Sequence, residues 1–215
     1  IGGGRYEQFR RQFVGRAKFR TELAARLFLF PTSAAAFYRW RKSGWKKVYA
    51  HELPAPVRRN IFAAFRKVFG ETGYKHPEKV YGRIIEDRRT QVTFSAIGQH
   101  APLRVKMRWR RKNDRLRRHL ARLLAKKLPE LEVRLGGLTS MDVTEKGIDK
   151  AYGIRQIKKV LKIDIKNMLF VGDAIYPGGN DYAVVRTGVD YVKVRGPAEA
   201  RAVIRFLLAA ERVAP

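Results

Sequence analysis

The sequence contains no cysteine. Disulfides, thiol nucleophiles and cysteine-ligated zinc are therefore excluded, and a cytoplasmic location is the expectation. No apolar run approaches the roughly 18 residues of a membrane-spanning helix, so no membrane partner is expected. No charged-then-apolar stretch of the secretory kind is visible. Acids are scarce: 19 Asp and Glu stand against 47 Lys and Arg, a formal net charge of +28 over 215 residues. Hydrophobic residues nevertheless reach 45%, which excludes a disordered basic tail and leaves material for one large domain or two small ones. The first residue is Ile1 rather than Met, and three glycines follow it.

The basic excess is unevenly placed. Residues 1–134 hold 34 bases and 10 acids, whereas residues 135–215 hold 13 bases and 9 acids. The densest stretch, Arg104 to Lys127, has 12 bases and one acid, Asp114. Such a patch attracts polyanions. The excess is read mainly as a general bias over a solvated surface, with nucleic acid as a less favoured partner. Trp40, Trp45 and Trp109 are expected in the core rather than stacked on bases.

Periodicity places the elements. Tyr6, Phe9, Phe13, Ala17, Ala24 and Leu27 predict a helix over 6–27. The run Leu27 to Phe30, stopped by Pro31, predicts a strand buried on both faces. A hairpin is expected about Ser43-Gly44, and a helix through Val57, Ile61, Phe65 and Val68 closing near Gly70. Residues 83–87 and 91–95 read as strands. Asn113 or Asp114 is expected to cap a helix striped by Leu116, Leu120, Leu123 and Leu124. Residues 131–135 and 141–143 read as extended. From Lys150 onward the pattern changes to helix, buried strand (168–171), short helix (180–185), strand (191–194) and a helix from Pro197. That alternation argues for parallel α/β packing, interrupted by an α+β segment over roughly 34–144.

Three constellations carry chemistry. The strand ending at Gly172-Asp173 leads through Gly178-Gly179 to Asn180-Asp181. Ligands of open α/β sheets bind at the carboxyl ends of strands, and two carboxylates with an amide oxygen suit a hard cation such as Mg²⁺. The plainer reading is a turn whose acids cap the next helix. Lys150, at a helix start, can hold a phosphate. Gly2-Gly3-Gly4-Arg5, before a helix, can present backbone N–H groups to an anion, although a flexible end has the same spacing.

In this order the three resemble the haloacid dehalogenase (HAD) superfamily, closest to its type IIB branch of Cof-like sugar phosphatases and eukaryotic-type phosphomannomutases. Gly178-Gly179-Asn180-Asp181 after Gly172-Asp173 is the most specific element. Gly136 to Val143 resembles the phosphomannomutase segment returning from cap to core. Ile85-Glu86-Asp87-Arg88 and Val92 to Gly98 are similar to that group's cap strands. The resemblance implies a HAD-like Rossmannoid parallel-sheet core (1–33 and 145–215) with an inserted α+β cap of C2B type (34–144). It implies Lys150 as the lysine steadying nucleophile and phosphoryl group, with Asp173 as a catalytic Mg²⁺ ligand and Asn180 and Asp181 completing the shell. Arg88, Ser140 and Asp142 would contact a sugar phosphate, and the cap would close over the core.

Two positions depart from the family pattern. Gln99 stands where phosphomannomutases carry a cap arginine, which favours a hydrolase over a mutase. Gly3 or Gly4 replaces the usual Ser or Thr, so backbone would bind the phosphate. The Asp-x-Asp pair that supplies nucleophile and general acid/base is absent from the 215 residues. The expectation is a fragment lacking the first core strand and the nucleophile. The parent protein is expected to be a phosphatase acting on a sugar phosphate or similar small phosphoester through a phospho-aspartate. A phosphosugar mutase, or an inactive scaffold gripping nucleic acid through its basic cap, is the alternative.

Overall fold

The computed structural model describes residues 1–17 and 19–213. The chain divides into two compact units, Ile1–Asp149 and Lys150–Pro215.

The first unit opens with α1 (Tyr6–Phe9), a π-helical turn (Arg10–Val14) and α2 (Thr21–Ala25), rather than one continuous helix over 6–27; Lys18 lies outside the described residues. The break has a local cause. The Gly15 N–H closes on the Arg10 carbonyl at 2.7 Å, where a Cβ would meet that oxygen at 2.6 Å, and Arg20 is extended. β1 (Phe28–Leu29) pairs antiparallel with β2 (Ala36–Arg41), which forms the expected hairpin with β3 (Gly44–Ala50). A strand in a parallel sheet was expected at 27–30. Antiparallel pairing instead leaves Phe28 half-buried, with only Leu29 of β1 fully covered.

The main core lies in a four-stranded antiparallel sheet ordered β4 (Ile85–Asp87), β5 (Gln91–Ser95), β7 (Ser140–Glu145), β6 (Leu131–Gly136). One face carries Val92, Phe94, Met141 and Val143, all fully buried under α3 (Ala55–Thr72) and α4 (Leu103–Lys127). α3 supplies Ile61, Phe65 and Val68 at helical spacing and ends at Gly73, whose φ of +62° makes the left-handed turn that closes a helix. α4 starts eleven or twelve residues earlier than the Asn113 or Asp114 cap predicts, with Pro102 in the cap position. Asp114 is spent differently: it accepts from Arg117 and Arg118, both at 2.8 Å, and lies 3.7 Å from Arg110. Asn113 donates to the Trp109 carbonyl at 2.9 Å.

In the second unit, α5 (Lys150–Leu161) precedes β8 (Leu169–Gly172), which pairs in parallel with β9 (Asp190–Lys193); α6 (Pro197–Val213) follows. A 3₁₀ turn over Tyr182–Thr187 stands where a short helix is expected. β8 is not the buried strand its apolar run predicts: Leu169 is 44% exposed and Val171 37%, because β9 is its one partner among the described residues.

Candidate functional site

The second unit builds its site on the loop after β8. Gly179 is obligatory there, since a Cβ would lie 2.0 Å from the Ala174 carbonyl oxygen. Gly172 also gives close passage: a Cβ would lie 2.6 Å from Asp181 Oδ2. The loop thereby folds Asp181 under the end of β8, where its residue is 2% exposed. Asp181 Oδ2 accepts the Ala174 backbone N–H at 3.1 Å, and Oδ1 accepts the Lys150 ammonium. Lys150 is the first residue of α5 and is itself buried, with Nζ 5.9 Å from the Phe170 ring centroid. Asp173 projects exposed from the end of β8, and Asn180 is half-buried.

The structure therefore joins Lys150 to Asp181. Both Asp181 oxygens already receive N–H donors, while Asp173 and Asn180 offer a solvent-facing carboxylate and an amide. Oxygen donors of these kinds are the ones Mg²⁺ takes, with one or two carboxylates and several waters kept. Among the described residues no group of three or more His, Cys, Asp or Glu gathers for a metal.

The first unit holds the other predicted residues, several of them on the sheet face opposite α3 and α4. Register sets Thr93 opposite Asp142 and Ser95 opposite Ser140. Asp142 Oδ1 accepts from Thr93 Oγ1 at 2.7 Å and from Gln91 Nε2 at 3.0 Å. Burial pushes the Asp142 carboxyl above its ordinary range, against the Thr93 hydrogen bond and the charges of Arg88 and Arg134. Gln99 Nε2 donates to Ser95 Oγ at 2.7 Å, and Ser95 and Ser140 hydroxyls meet at 2.8 Å. Arg88 is held by Glu86 Oε2 at 3.1 Å and donates to the Gly3 carbonyl at 3.3 Å. The Gly4 carbonyl accepts from Thr32 N–H at 2.9 Å. Gly3 and Arg88 thus meet, and Gln99 is linked to Ser140 through the Ser95 hydroxyl.

Sequence reasoning missed Gln91, Thr93 and Ser95 as site residues. Their alternation with Val92 and Phe94 was the available signal: a strand buried on both faces whose second face is polar. It also missed Arg117, which is 2% exposed and donates to the Gly136 carbonyl at 3.0 Å and the Gly137 carbonyl at 3.1 Å, tying α4 to the β6–β7 turn.

The family model described as eukaryotic phosphomannomutase matches residues 72–209. The chain belongs to the eukaryotic phosphomannomutase family. Arg88, Gln99, Ser140, Asp142, Lys150, Asp173, Asn180 and Asp181 all fall within the matched residues; Gly3 and Gly4 do not. A phosphomannomutase of Encephalitozoon cuniculi is 31% identical over 107 residues, 48% of this chain and 41% of the relative. One from Arabidopsis thaliana is 30% identical over 136 residues, 63% of this chain and 46% of the relative. The chain thus spans less than half the length of these relatives.

Among solved structures, an IMP-bound mutant of Plasmodium falciparum IMP-nucleotidase superposes with a TM-score of 0.66 at 15% identity, covering 97% of this chain and 58% of that one. Sucrose-phosphatase from Synechocystis, in complex with sucrose and phosphate, gives a TM-score of 0.50 at 11% identity, covering 93% and 70%. At such identities the likeness shows the fold, which is that of HAD type IIB proteins. No helix among the described residues is long and apolar enough to cross a membrane.

Proposed function

We propose that the protein transfers the phosphoryl group of a sugar phosphate or similar small phosphoester to water. The observation that carries this reading is the buried Lys150–Asp181 pair on the Gly172–Asp181 loop, inside the segment matched to the phosphomannomutase family. The Lys150 ammonium is set against the phosphoryl oxygens, where charge builds during transfer. Asp181 orients that ammonium. Asp173 and Asn180, with Asp181 behind them, would hold Mg²⁺, which when bound neutralises phosphoryl oxygens. Arg88, Gln99, Ser140 and Asp142 are assigned to the rest of the substrate, with the backbone of Gly3 and Gly4.

The chemistry needs an aspartate that displaces the alcohol from phosphorus, forming an acyl phosphate that water then cleaves to inorganic phosphate. No Asp-x-Asp pair occurs in the 215 residues. The attacking carboxylate is therefore assigned to residues outside them, and the core and cap boundaries at 33/34 and 144/145 remain part of the proposal. Gln99 supports hydrolysis over the mutase reaction, because a neutral amide committed to Ser95 replaces a phosphate-binding arginine. The family match supports the mutase as the second reading, in which the phosphoryl returns to another sugar hydroxyl.

The test uses the longest reading frame carrying these residues. Phosphate release from hexose phosphates, disaccharide phosphates and nucleoside monophosphates is followed with Mg²⁺ and with a chelator. Release should require Mg²⁺ and fall about a hundredfold or more in Asp173→Ala and Lys150→Met. Release untouched by Asp173→Ala refutes the metal assignment. Interconversion of sugar phosphates without net release establishes the mutase instead.

A further inference from the structure

We propose that the outer face of α4 binds the phosphate backbone of a double-stranded nucleic acid. Arg104, Arg108, Arg111, Arg115, Arg118, Arg122 and Lys126 are all exposed. They recur at steps of three or four residues, which stacks them as one stripe along the helix, with Lys112 beside it. From first to last the stripe runs about 33 Å at the α-helical rise, close to one turn of B-form DNA. Some exposed bases elsewhere in this unit lie within ion-pair distance of acids: Lys47 and Arg89 of Glu52, Arg5 of Glu7. On the stripe, Arg118 alone has an acid within ion-pair distance among the described residues, and that acid, Asp114, is shared with Arg110 and Arg117. Like charges one turn apart repel, so stability does not account for the arrangement.

Within the first unit, its placement separates it from the polar face of the sheet. α4 covers the Val92–Phe94 face of the sheet, whereas Thr93, Ser95, Ser140 and Asp142 lie on the opposite face. One small phosphate needs nothing from this stripe. The composition also selects the partner. Exposed apolar side chains on α4 are confined to Leu103 and Met107 at its first turns, too few to enter a bilayer. No Phe, Tyr or Trp of α4 is exposed: Trp109 is half-buried against the core, and the small imidazole of His119 is the one ring of α4 that faces solvent. A platform for stacking unpaired bases is therefore missing, and backbone contact with a duplex remains.

The experiment measures fluorescence anisotropy of the 215-residue chain with 30-base-pair DNA and RNA duplexes of arbitrary sequence, between 50 and 300 mM salt. The set Arg108→Gln, Arg111→Gln, Arg115→Gln and Arg122→Gln should weaken DNA binding about a hundredfold or more at 0.1 M salt and lower the logarithmic salt slope by about 3.6. The same four positions changed to Lys should retain the affinity, because a phosphate contact asks for charge. A control set of four neutralised hairpin bases, Arg41, Lys42, Lys46 and Lys47, should cost far less. Equal losses from the two sets would show a general charge bias and overturn the proposal. Tighter binding to single strands, binding confined to phosphatidylserine vesicles, or no duplex binding at 50 mM salt would overturn it as well.

Discussion

Lys150 Nζ donates to Asp181 Oδ1 with both side chains nearly sealed from solvent, at 9% and 2% exposure. An ion pair so placed is costly to break from one side, because the surviving charge stays buried without its partner. Asp181→Ala should destabilise the second unit by about 3–5 kcal/mol, and Lys150→Met/Asp181→Leu by clearly less than the sum of its single changes. Denaturant unfolding of the four proteins in the double-mutant cycle measures this. Additive losses would mean that the two groups do not act as a pair.

The loop that carries Asp181 tolerates change unevenly. Gly179→Ala sets a Cβ against the Ala174 backbone carbonyl, which cannot rotate away. Gly178 has open space but a φ of +82°, so alanine there meets strain of about 1–2 kcal/mol. Thermal unfolding should therefore rank Gly179→Ala as the more damaging, and a reversed order would refute the close packing of the loop.

Asp142 supplies a dependence on pH. Its carboxyl holds a proton more tightly in the folded chain than in the unfolded one, because burial disfavours the charge. A raised carboxyl makes the folded state the better proton binder, so stability falls as pH rises through the shifted value. Asp142→Asn keeps an acceptor for Thr93 and Gln91 and has no such titration. The variant should equal or trail the wild type in acid and gain on it towards neutral pH. Melting temperatures compared across that range decide the matter; a constant difference would refute it.

Tyr74 offers a gain in stability. Its ring packs against Phe69, His76 and Phe94, and burial pushes its phenol up to about 12. Its hydroxyl has no hydrogen-bond partner among the described residues. Tyr74→Phe keeps the ring and removes the unpaired group, so the unfolding free energy should rise by about 1 kcal/mol. The urea midpoint should shift upward at constant slope.

Legibility in the sequence followed how local each determinant was. The 36–50 hairpin and the strand 91–95 were readable because alternation and turn residues act over a few positions. The start of α4 was not. Its first turns are arginine-rich and carry little apolar stripe, and the capping preference of Asn113 and Asp114 yields when three arginines and a backbone carbonyl satisfy them mid-helix. The exposure of β8 was hidden for a related reason: an apolar run reports preference for burial, while burial itself depends on neighbours. Motif spacing named Lys150 and Asp181 separately. Their pairing spans 31 positions of chain and became visible only in three dimensions.

The two-stranded sheet of β8 and β9 has one more consequence, for exchange of backbone protons with solvent. β5 is hydrogen-bonded on both sides by β4 and β7, whereas β8 and β9 have only each other among the described residues. Deuterium should label β8 and β9 well before β5, since so small a sheet closes little cooperative structure around its amides. The loop presenting Asp173 is anchored to that weakly protected pair. It can open and reclose on its own timescale while the α3–α4 core stays shut.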